Sequence, residues 1–264
     1  MYLLIDAGNT RVKWAVPAVL PLPAAQAPDW LYEQAVLHAD LAALMPQWQQ
    51  LAASMNIDAV LISNVAGAAM RERLQVMLVQ AFPQAAVAVQ WFASSVECAG
   101  LRNGYRQPSQ LGCDRFASAI AAHHLYPQRD LIVATGGTAT TVDGVLAEGR
   151  FIGGMILPGL KLMAESLAKN TAQLPQVAES IAVDQPFADN TDQAIVSGCI
   201  HAQTGAILQA ARSLGQRTGK TPLCIISGGA APYLQAFLPQ ETLHIPNLVL
   251  TGLAVVAQSQ RTDF

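Results

Sequence analysis

The chain has 264 residues, enough for one large domain or two smaller ones, each with its own core. Hydrophobic residues make up 52% and charged residues only 12%, which favours burial of some surface in an oligomer. The net charge of −3 gives no electrostatic support for nucleic-acid binding. No apolar run approaches the roughly 18–20 residues that span a bilayer, and the four cysteines lack CxxC or zinc spacing. We therefore expect a cytoplasmic protein that binds neither membranes nor nucleic acid.

Apolar periodicity predicts that strands and helices alternate along the first half of the chain. In chain order, the pattern predicts strands at 2–5 and 12–16, a helix at 41–55, a strand at 59–63, a helix at 67–82, a strand at 87–92 and a helix at 116–125. The stretch 17–28 is rich in Pro and Ala, and we expect an irregular connection there.

The second half repeats this order. Its apolar pattern predicts strands at 131–135, 141–146 and 151–157, helices at 158–169 and 191–214, a strand ending at Gly228 that leads into a helix, and a closing helix. A strand-rich start followed by alternating helices and strands, present twice, predicts an α/β protein of two similar domains with a cleft between them. We expect the first domain to cover residues 1–117 and the second 118–264.

The two halves also share a short motif. Residues 3–14 (LLIDAGNTRVKW) and 131–143 (LIVATGGTATTVD) each run from an apolar strand into a turn of Gly, Thr and Asn or Asp. Aligning them pairs Asp6 with Thr135 and Gly8 with Gly137. A glycine at such a tip lets backbone N–H groups approach an anion, and neighbouring hydroxyls donate further hydrogen bonds. The pair of turns therefore predicts a site for nucleotide phosphates.

Asp6 lies beside the first turn, where a carboxylate would repel phosphate unless a cation lay between them. Mg²⁺ is typically held by one or two carboxylates together with phosphate oxygens, so Asp6 is a candidate Mg²⁺ contact. Lys13 in the returning strand could meet a phosphate directly. The alternative is an ordinary type I′ hairpin, in which Asp, Gly and Asn are simply good turn residues.

A second cluster of polar residues lies in the segment 103–119 (NGYRQPSQLGCDRFASA). Asp114 and Arg115 come at the start of a predicted helix, and three further polar side chains precede them: Arg102, Tyr105 and Arg106. Helix capping alone could explain the aspartate. An acid beside an arginine also suits an alcohol substrate that carries a carboxylate, because the arginine can pair with that carboxylate while the acid accepts the hydroxyl proton.

The motifs DAGNTRVK, NGYRQPSQLGCDR, GTATTVD, GGMILPGL, NTDQAIVSG and the late SGG together resemble the type III pantothenate kinases, of the acetate and sugar kinase, Hsc70 and actin superfamily. They occur in family order over nearly the whole chain. The resemblance implies duplicated RNase H-like (actin-like ATPase) domains and a homodimer. It also implies ATP- and Mg²⁺-dependent phosphorylation of pantothenate to 4′-phosphopantothenate, the first step of coenzyme A biosynthesis.

The resemblance also implies roles for individual residues. Asp114 matches the catalytic base. The ATP-binding positions are Asp6, Ala7, Gly8, Asn9, Thr10, Arg11, Val12, Lys13 and Thr138. The pantothenate-binding positions are Tyr105, Gly112, Cys113, Asp114, Arg115 and Thr191, the last of which lies near the dimer interface in this family.

One position departs from the family pattern. The family usually has Asp where this chain has Thr135, and that Asp ligates a potassium or ammonium ion. A neutral hydroxyl is a poorer cation ligand, so the sequence predicts weakened dependence on a monovalent cation.

Two other functions remain open from the sequence. One is a non-enzymatic regulatory protein on the same fold, and the other is a kinase for a different small alcohol. An active enzyme is favoured because a protein that had lost its activity would not need to retain this set of residues: Asp6, Asn9, Thr10, Asp114, Arg115 and Thr138.

Overall fold

The computed structural model describes residues 1–83, 87–170 and 186–260. The chain divides into two units, one formed by Met1–Pro127 together with Leu248–Phe264 and the other by Gln128–Asn247. This division differs from the boundary expected at 117/118. The helix Cys113–Leu125 stays whole, and the last helix, Leu248–Ser259, returns to the first unit because it packs along that helix.

The first unit contains seven strands and four α-helices among the described residues. Its strands are β1 (Tyr2–Ala7), β2 (Arg11–Pro17), β3 (Trp30–Leu37), β4 (Ala59–Asn64), β5 (Ala88–Phe92), β6 (Glu97–Cys98) and β7 (Leu101–Asn103). Its helices are α1 (Leu44–Ser54), α2 (Ala68–Ala81), α3 (Cys113–Leu125) and α7 (Leu248–Ser259).

Five of these strands form one sheet in the order β3-β2-β1-β4-β5. Strands β1, β2 and β3 are an antiparallel meander, while β4 and β5 run parallel to β1. The central strand β1 is almost entirely buried, since α1 and α2 contribute side chains to the core on one face and α7 also packs on β1. Burial on both faces explains why its sequence is a continuous apolar run instead of an alternating one.

The second unit repeats this arrangement. Its elements are β8 (Leu131–Gly136), β9 (Ala139–Leu146), β10 (Arg150–Pro158), α4 (Leu160–Asn170), α5 (Thr191–Thr218), β11 (Leu223–Ser227), α6 (Ala231–Gln235) and β12 (Leu243–His244). The strands run in the order β10-β9-β8-β11-β12, which matches β3-β2-β1-β4-β5 strand for strand. The first three are again antiparallel, and the last two again run parallel to the central strand. The predicted duplication is therefore confirmed.

Strand β3 was not predicted from the sequence. This edge strand has no buried residue, since all its residues are exposed or partly exposed, and it lacks the apolar alternation on which the prediction depended. The predicted helix 41–55 corresponds to a 3₁₀ turn, His38–Ala43, followed by α1. Pro46 is the third residue of α1, where its missing N–H costs no helical hydrogen bond.

Among residues 1–83, 87–170 and 186–260, no helix combines the length and the apolar character that crossing a bilayer requires.

The packing of α7 on α3 depends on one glycine. A Cβ atom on Gly252 would lie 1.9 Å from the carbonyl oxygen of Ala117, so the two helix backbones would have to move apart. We expect Gly252→Ala to lower the free energy of unfolding by about 1–3 kcal/mol or more, measured by denaturant titration. Gly205→Ala in α5 is the matched control, because a Cβ there meets nothing within 4 Å. It should stabilise by about 0.5–1 kcal/mol, and equal effects of the two variants would contradict this account of the packing.

Candidate active site

The first of the two glycine-containing turns joins β1 to β2. Ala7 pairs with Val12 across the two strands, and the N–H of Gly8 donates to the carbonyl oxygen of Arg11 at 3.1 Å. Neither Gly8 nor Asn9 has a positive φ, which a type I′ turn requires, so this hairpin turn is not of type I′. In this turn, the predicted phosphate loop (residues 8–11), the side chains of residues 9–11 are exposed and accessible to a ligand, while Gly8 is half-buried.

Asp6 lies at the end of β1, between Lys13 on β2 and Ser63 on β4 in the strand register. Its side chain is only 9% exposed. Burial raises the pKa of Asp6 to about 7, the positive charge of Lys13 opposes that rise, and the charge of Asp114 adds to it. The structure therefore brings Asp6 and Asp114 close enough for their charges to interact, although they are far apart in the sequence.

Asp114 is the second residue of α3, whose N-cap is Gly112. Its carboxylate accepts a hydrogen bond from the backbone N–H of Arg115 at 2.8 Å, so the expected contact at the helix start is present. Burial raises the pKa of Asp114, while the N–H and the charge of Arg115 oppose the rise. The side chain is nevertheless partly exposed, and a partly exposed carboxyl group with a raised pKa suits a general base.

Arg115 and Tyr105 both belong to the predicted substrate segment, and their side chains contact each other. Arg115 is 7% exposed, and its Nη1 donates to the hydroxyl oxygen of Tyr105 at 3.0 Å. The loop that carries Tyr105 is held by Asn103, whose Oδ1 accepts from the Tyr105 N–H at 3.0 Å while its Nδ2 donates to the Pro108 carbonyl at 3.1 Å. Asn103 was missed by the sequence analysis, although an Asn before Gly is a recognised turn signal.

Gly112 and Cys113 directly precede Asp114 and form part of its surroundings. A Cβ on Gly112 would lie 2.7 Å from an Asp114 carboxylate oxygen, so the absence of a side chain makes room for the carboxylate. The Cys113 Sγ lies 3.3 Å from the Ser63 Oγ and 3.6 Å from the Asn64 carbonyl oxygen. Burial raises the pKa of the Cys113 thiol, which fits a small packing residue and not a nucleophile.

The second turn, which carries Thr138, lies in the second unit between β8 and β9. The N–H of Gly137 donates to the Ala139 carbonyl at 2.9 Å, and the N–H of Gly159 donates to the Thr138 carbonyl at 2.9 Å. A Cβ on Gly159 would lie 2.1 Å from the Gly137 carbonyl oxygen. The turn is therefore packed directly against backbone, which fixes its shape.

Thr135 precedes this turn on β8, and the register pairs it with Thr141 on β9 and Ser227 on β11. These are the positions that Lys13 and Ser63 hold around Asp6 in the first unit. The alignment of Asp6 with Thr135 is thus confirmed by the strand pairing, and the second unit has hydroxyl groups where the first has an acid and a base.

Thr191 is the first residue of α5, and the N-cap Asn190 accepts from the Gln193 N–H at 3.0 Å. It borders a cavity of about 560 Å³ within the second unit. The lining is mainly apolar and comprises Pro158, Met163, Ser166, Leu167, Thr191, Ala194, Ile195, Gly198 and Cys199.

The carboxylates of the first unit are suitable for Mg²⁺ bound together with nucleotide phosphates. Among the described residues, no group of three or more His, Cys, Asp or Glu side chains could hold a metal by itself. A protein that binds Mg²⁺ through nucleotide phosphates needs only one or two carboxylates. Asp6 and Asp114 are two partly desolvated carboxylates whose mutual repulsion a cation would relieve.

The fold places the chain in a broad class. A glucokinase structure from an Antarctic psychrotroph aligns with a TM-score of 0.51 at 12% identity, over 96% of this chain and 97% of that one. A Campylobacter jejuni structure, provisionally assigned as a Baf family transcriptional activator, aligns with a TM-score of 0.59 at 17% identity, over 98% and 99% of the two chains. At these identities the likeness shows the fold alone. That fold is the duplicated α/β fold of the sugar kinases and actin-like ATPases.

Sequence comparison identifies the family within that class. The family model for type III pantothenate kinase matches residues 2–213. A type III pantothenate kinase from Janthinobacterium sp. (strain Marseille) is 50% identical over 258 residues, which is 97% of each chain. The chain belongs to the type III pantothenate kinase family.

The raised pKa of Asp6 gives a prediction for the protein without ligand. Replacing Asp114 by Asn should lower the pKa of Asp6 from about 7, because it removes a neighbouring negative charge. Lys13→Met should raise it, because it removes the charge that stabilises the carboxylate. Carbon-detected NMR titration of the Asp6 carboxyl group measures both shifts. Movement of the pKa in the same direction in both variants would contradict the electrostatic account.

Proposed function

We propose that this protein transfers the γ-phosphate of ATP to the primary hydroxyl of pantothenate, giving 4′-phosphopantothenate for coenzyme A biosynthesis. The observation that carries the proposal is that Asp114, Asp6 and the hydrogen-bonded Arg115–Tyr105 pair lie together, in a chain of this family. The curated relatives that share the family name support the same substrate.

In this mechanism Asp114 orients the pantothenate hydroxyl and accepts its proton as the oxygen bonds to the γ-phosphorus, and ADP leaves with the electrons of the broken P–O bond. A raised pKa favours this role, because a base with a pKa nearer the working pH accepts a proton more readily. Arg115 binds the pantothenate carboxylate, and its bond to Tyr105 fixes the guanidinium beforehand.

The phosphate loop contacts the ATP phosphates through its exposed tip, and Lys13 supplies a positive charge on β2. The turn at Thr138 is a further phosphate contact, as its match to the family motif implies. Asp6 would hold Mg²⁺ through the phosphate oxygens, and the bound ion would neutralise charge on the transferring phosphoryl group. Four free thiols in the described structure support a cytoplasmic location.

Phosphoryl transfer from ATP to a panel of alcohols tests the proposal directly. Pantothenate should be the preferred acceptor, with sugars and acetate far slower. Preference for another alcohol would support the alternative kinase, and a folded protein with no transfer to any acceptor would support the regulatory alternative.

Asp114→Asn should lower turnover by about 10²- to 10⁴-fold, because the amide keeps the shape of the side chain but cannot accept the hydroxyl proton. Binding of an ATP analogue should change little. Steady-state kinetics and calorimetric titration measure the two effects. A turnover within a few-fold of the unaltered protein would show that Asp114 serves only the helix start.

We further propose a homodimer in which Thr191 of the partner subunit completes each pantothenate site. The apolar cavity beside Thr191 supports a contact surface there. Mixing an inactive Asp114 variant with an inactive Thr191 variant should restore about a quarter of the activity, since random exchange gives half heterodimers with one intact site each. A monomer by analytical ultracentrifugation at assay concentration would contradict the arrangement, and the homogeneous variants alone are the controls.

Thr135 leads us to propose weakened activation by monovalent cations. A threonine hydroxyl has no charge to hold a potassium-sized ion, and the cross-strand partners of Thr135 are the hydroxyl residues Thr141 and Ser227. Initial rates in sodium salts should approach those in potassium and ammonium salts at equal ionic strength. Thr135→Asp should increase potassium activation. Strong activation of the unaltered protein at low millimolar potassium would show that other oxygens form the site.

A further inference from the structure

His38 contacts the phosphate loop at two points, although neither the sequence motifs nor the proposed mechanism includes it. Its ring Nε2 lies 2.9 Å from the carbonyl oxygen of Gly8. Its backbone N–H donates to the carbonyl oxygen of Thr10 at 3.2 Å. Both carbonyls belong to the tip of the loop, and the same residue holds them.

The position of His38 follows from the edge strand. Strand β3 pairs with β2 in a register that sets Leu37 opposite Arg11, and His38 is the next residue, where the chain leaves the sheet in a 3₁₀ turn. The half-buried ring therefore lies against the loop that β2 completes. A carbonyl oxygen can only accept a hydrogen bond, so Nε2 carries the proton in this contact.

Holding these carbonyls also orients the loop's donors. In a trans peptide the C=O and the following N–H point in opposite directions. When the Gly8 carbonyl is directed at His38, the N–H of Asn9 is directed away from His38. Free rotation of that peptide would present a carbonyl oxygen to a phosphate instead, which electrostatic repulsion disfavours.

We propose that His38 is a positioning residue for nucleotide binding, which fixes the Gly8–Asn9 peptide so that the loop presents an N–H group to a phosphate of ATP. This role takes only the identity of the nucleotide from the proposed function, because it concerns nucleotide binding and not phosphoryl transfer. Its effect should therefore appear in the affinity for ATP and not in the affinity for pantothenate.

Three substitutions separate hydrogen bonding from packing. His38→Leu fills similar space without a donor, and it should weaken ATP binding by about three- to tenfold, the usual effect of one lost hydrogen bond. His38→Gln places an amide nitrogen near the position of Nε2 and should restore most of the affinity. His38→Asn is polar but too short to reach Gly8, and it should behave like Leu. His244→Leu, at an exposed histidine of the second unit, is the matched control and should change nothing.

Binding is measured by calorimetry with a non-hydrolysable ATP analogue and Mg²⁺, and KM for each substrate is measured in the full reaction. Thermal unfolding confirms that each variant is folded. The expected result is a rise in Kd and in KM for ATP in the Leu and Asn variants, with KM for pantothenate unchanged and the Gln variant close to the original. Equal affinity for the analogue in all variants would overturn the inference, as would equal loss in Gln and Leu.

The binding assay keeps this test separate from the function. If the original protein binds the analogue but does not phosphorylate pantothenate, the proposed function fails, and the role of His38 is still decided by the affinities. If pantothenate is phosphorylated and the variants bind normally, only the role of His38 fails.

Discussion

The site is organised around a buried carboxylate. Asp6 is buried near the end of the central strand of the first sheet, where an unpaired negative charge is costly, and burial raises its pKa to about 7. The charge is tolerated because Lys13 lies opposite it on β2, which partly offsets the burial and the repulsion from Asp114. Without a cation, this arrangement is electrostatically strained. Binding of Mg²⁺ with phosphate would relieve the strain, so the protein's geometry and its ligands are complementary.

Comparison of equivalent positions in the two units separates the residues that the fold requires from those that the candidate site adds. The two central strands have the same neighbours in the same register, yet Asp6 faces Lys13 and Ser63, while Thr135 faces Thr141 and Ser227. The backbone arrangement can therefore be built with either charged or neutral groups at these positions. The charges in the first unit are not needed for the sheet, which favours a chemical role for them.

Much of this could be predicted from the sequence, because the informative features are local. Central strands, the two Gly-Thr turns and the helix start at Asp114 depend on short patterns of apolar residues, glycines and polar residues. The features that escaped prediction depend on contacts between distant segments. Strand β3 is exposed along its length, so its pattern is weak, and His38 matters only because β3 pairs with β2. The return of α7 to the first unit depends on Gly252 meeting Ala117, which no local pattern reveals.

The two turns also achieve rigidity by different means. The turn at Thr138 is held by close backbone packing: Gly228, with a φ of 88°, could not carry a Cβ because the Gly136 carbonyl oxygen would lie 2.2 Å away. The phosphate loop has no comparable glycine packing behind it, since a Cβ on Gly8 would lie at an ordinary 3.5 Å from the nearest atom, the Arg11 carbonyl oxygen. Side-chain and backbone hydrogen bonds from His38 perform that function instead. Glycine packing restricts a turn sterically, whereas the support from His38 depends on hydrogen bonds, one of which a single side-chain substitution can remove without changing the core.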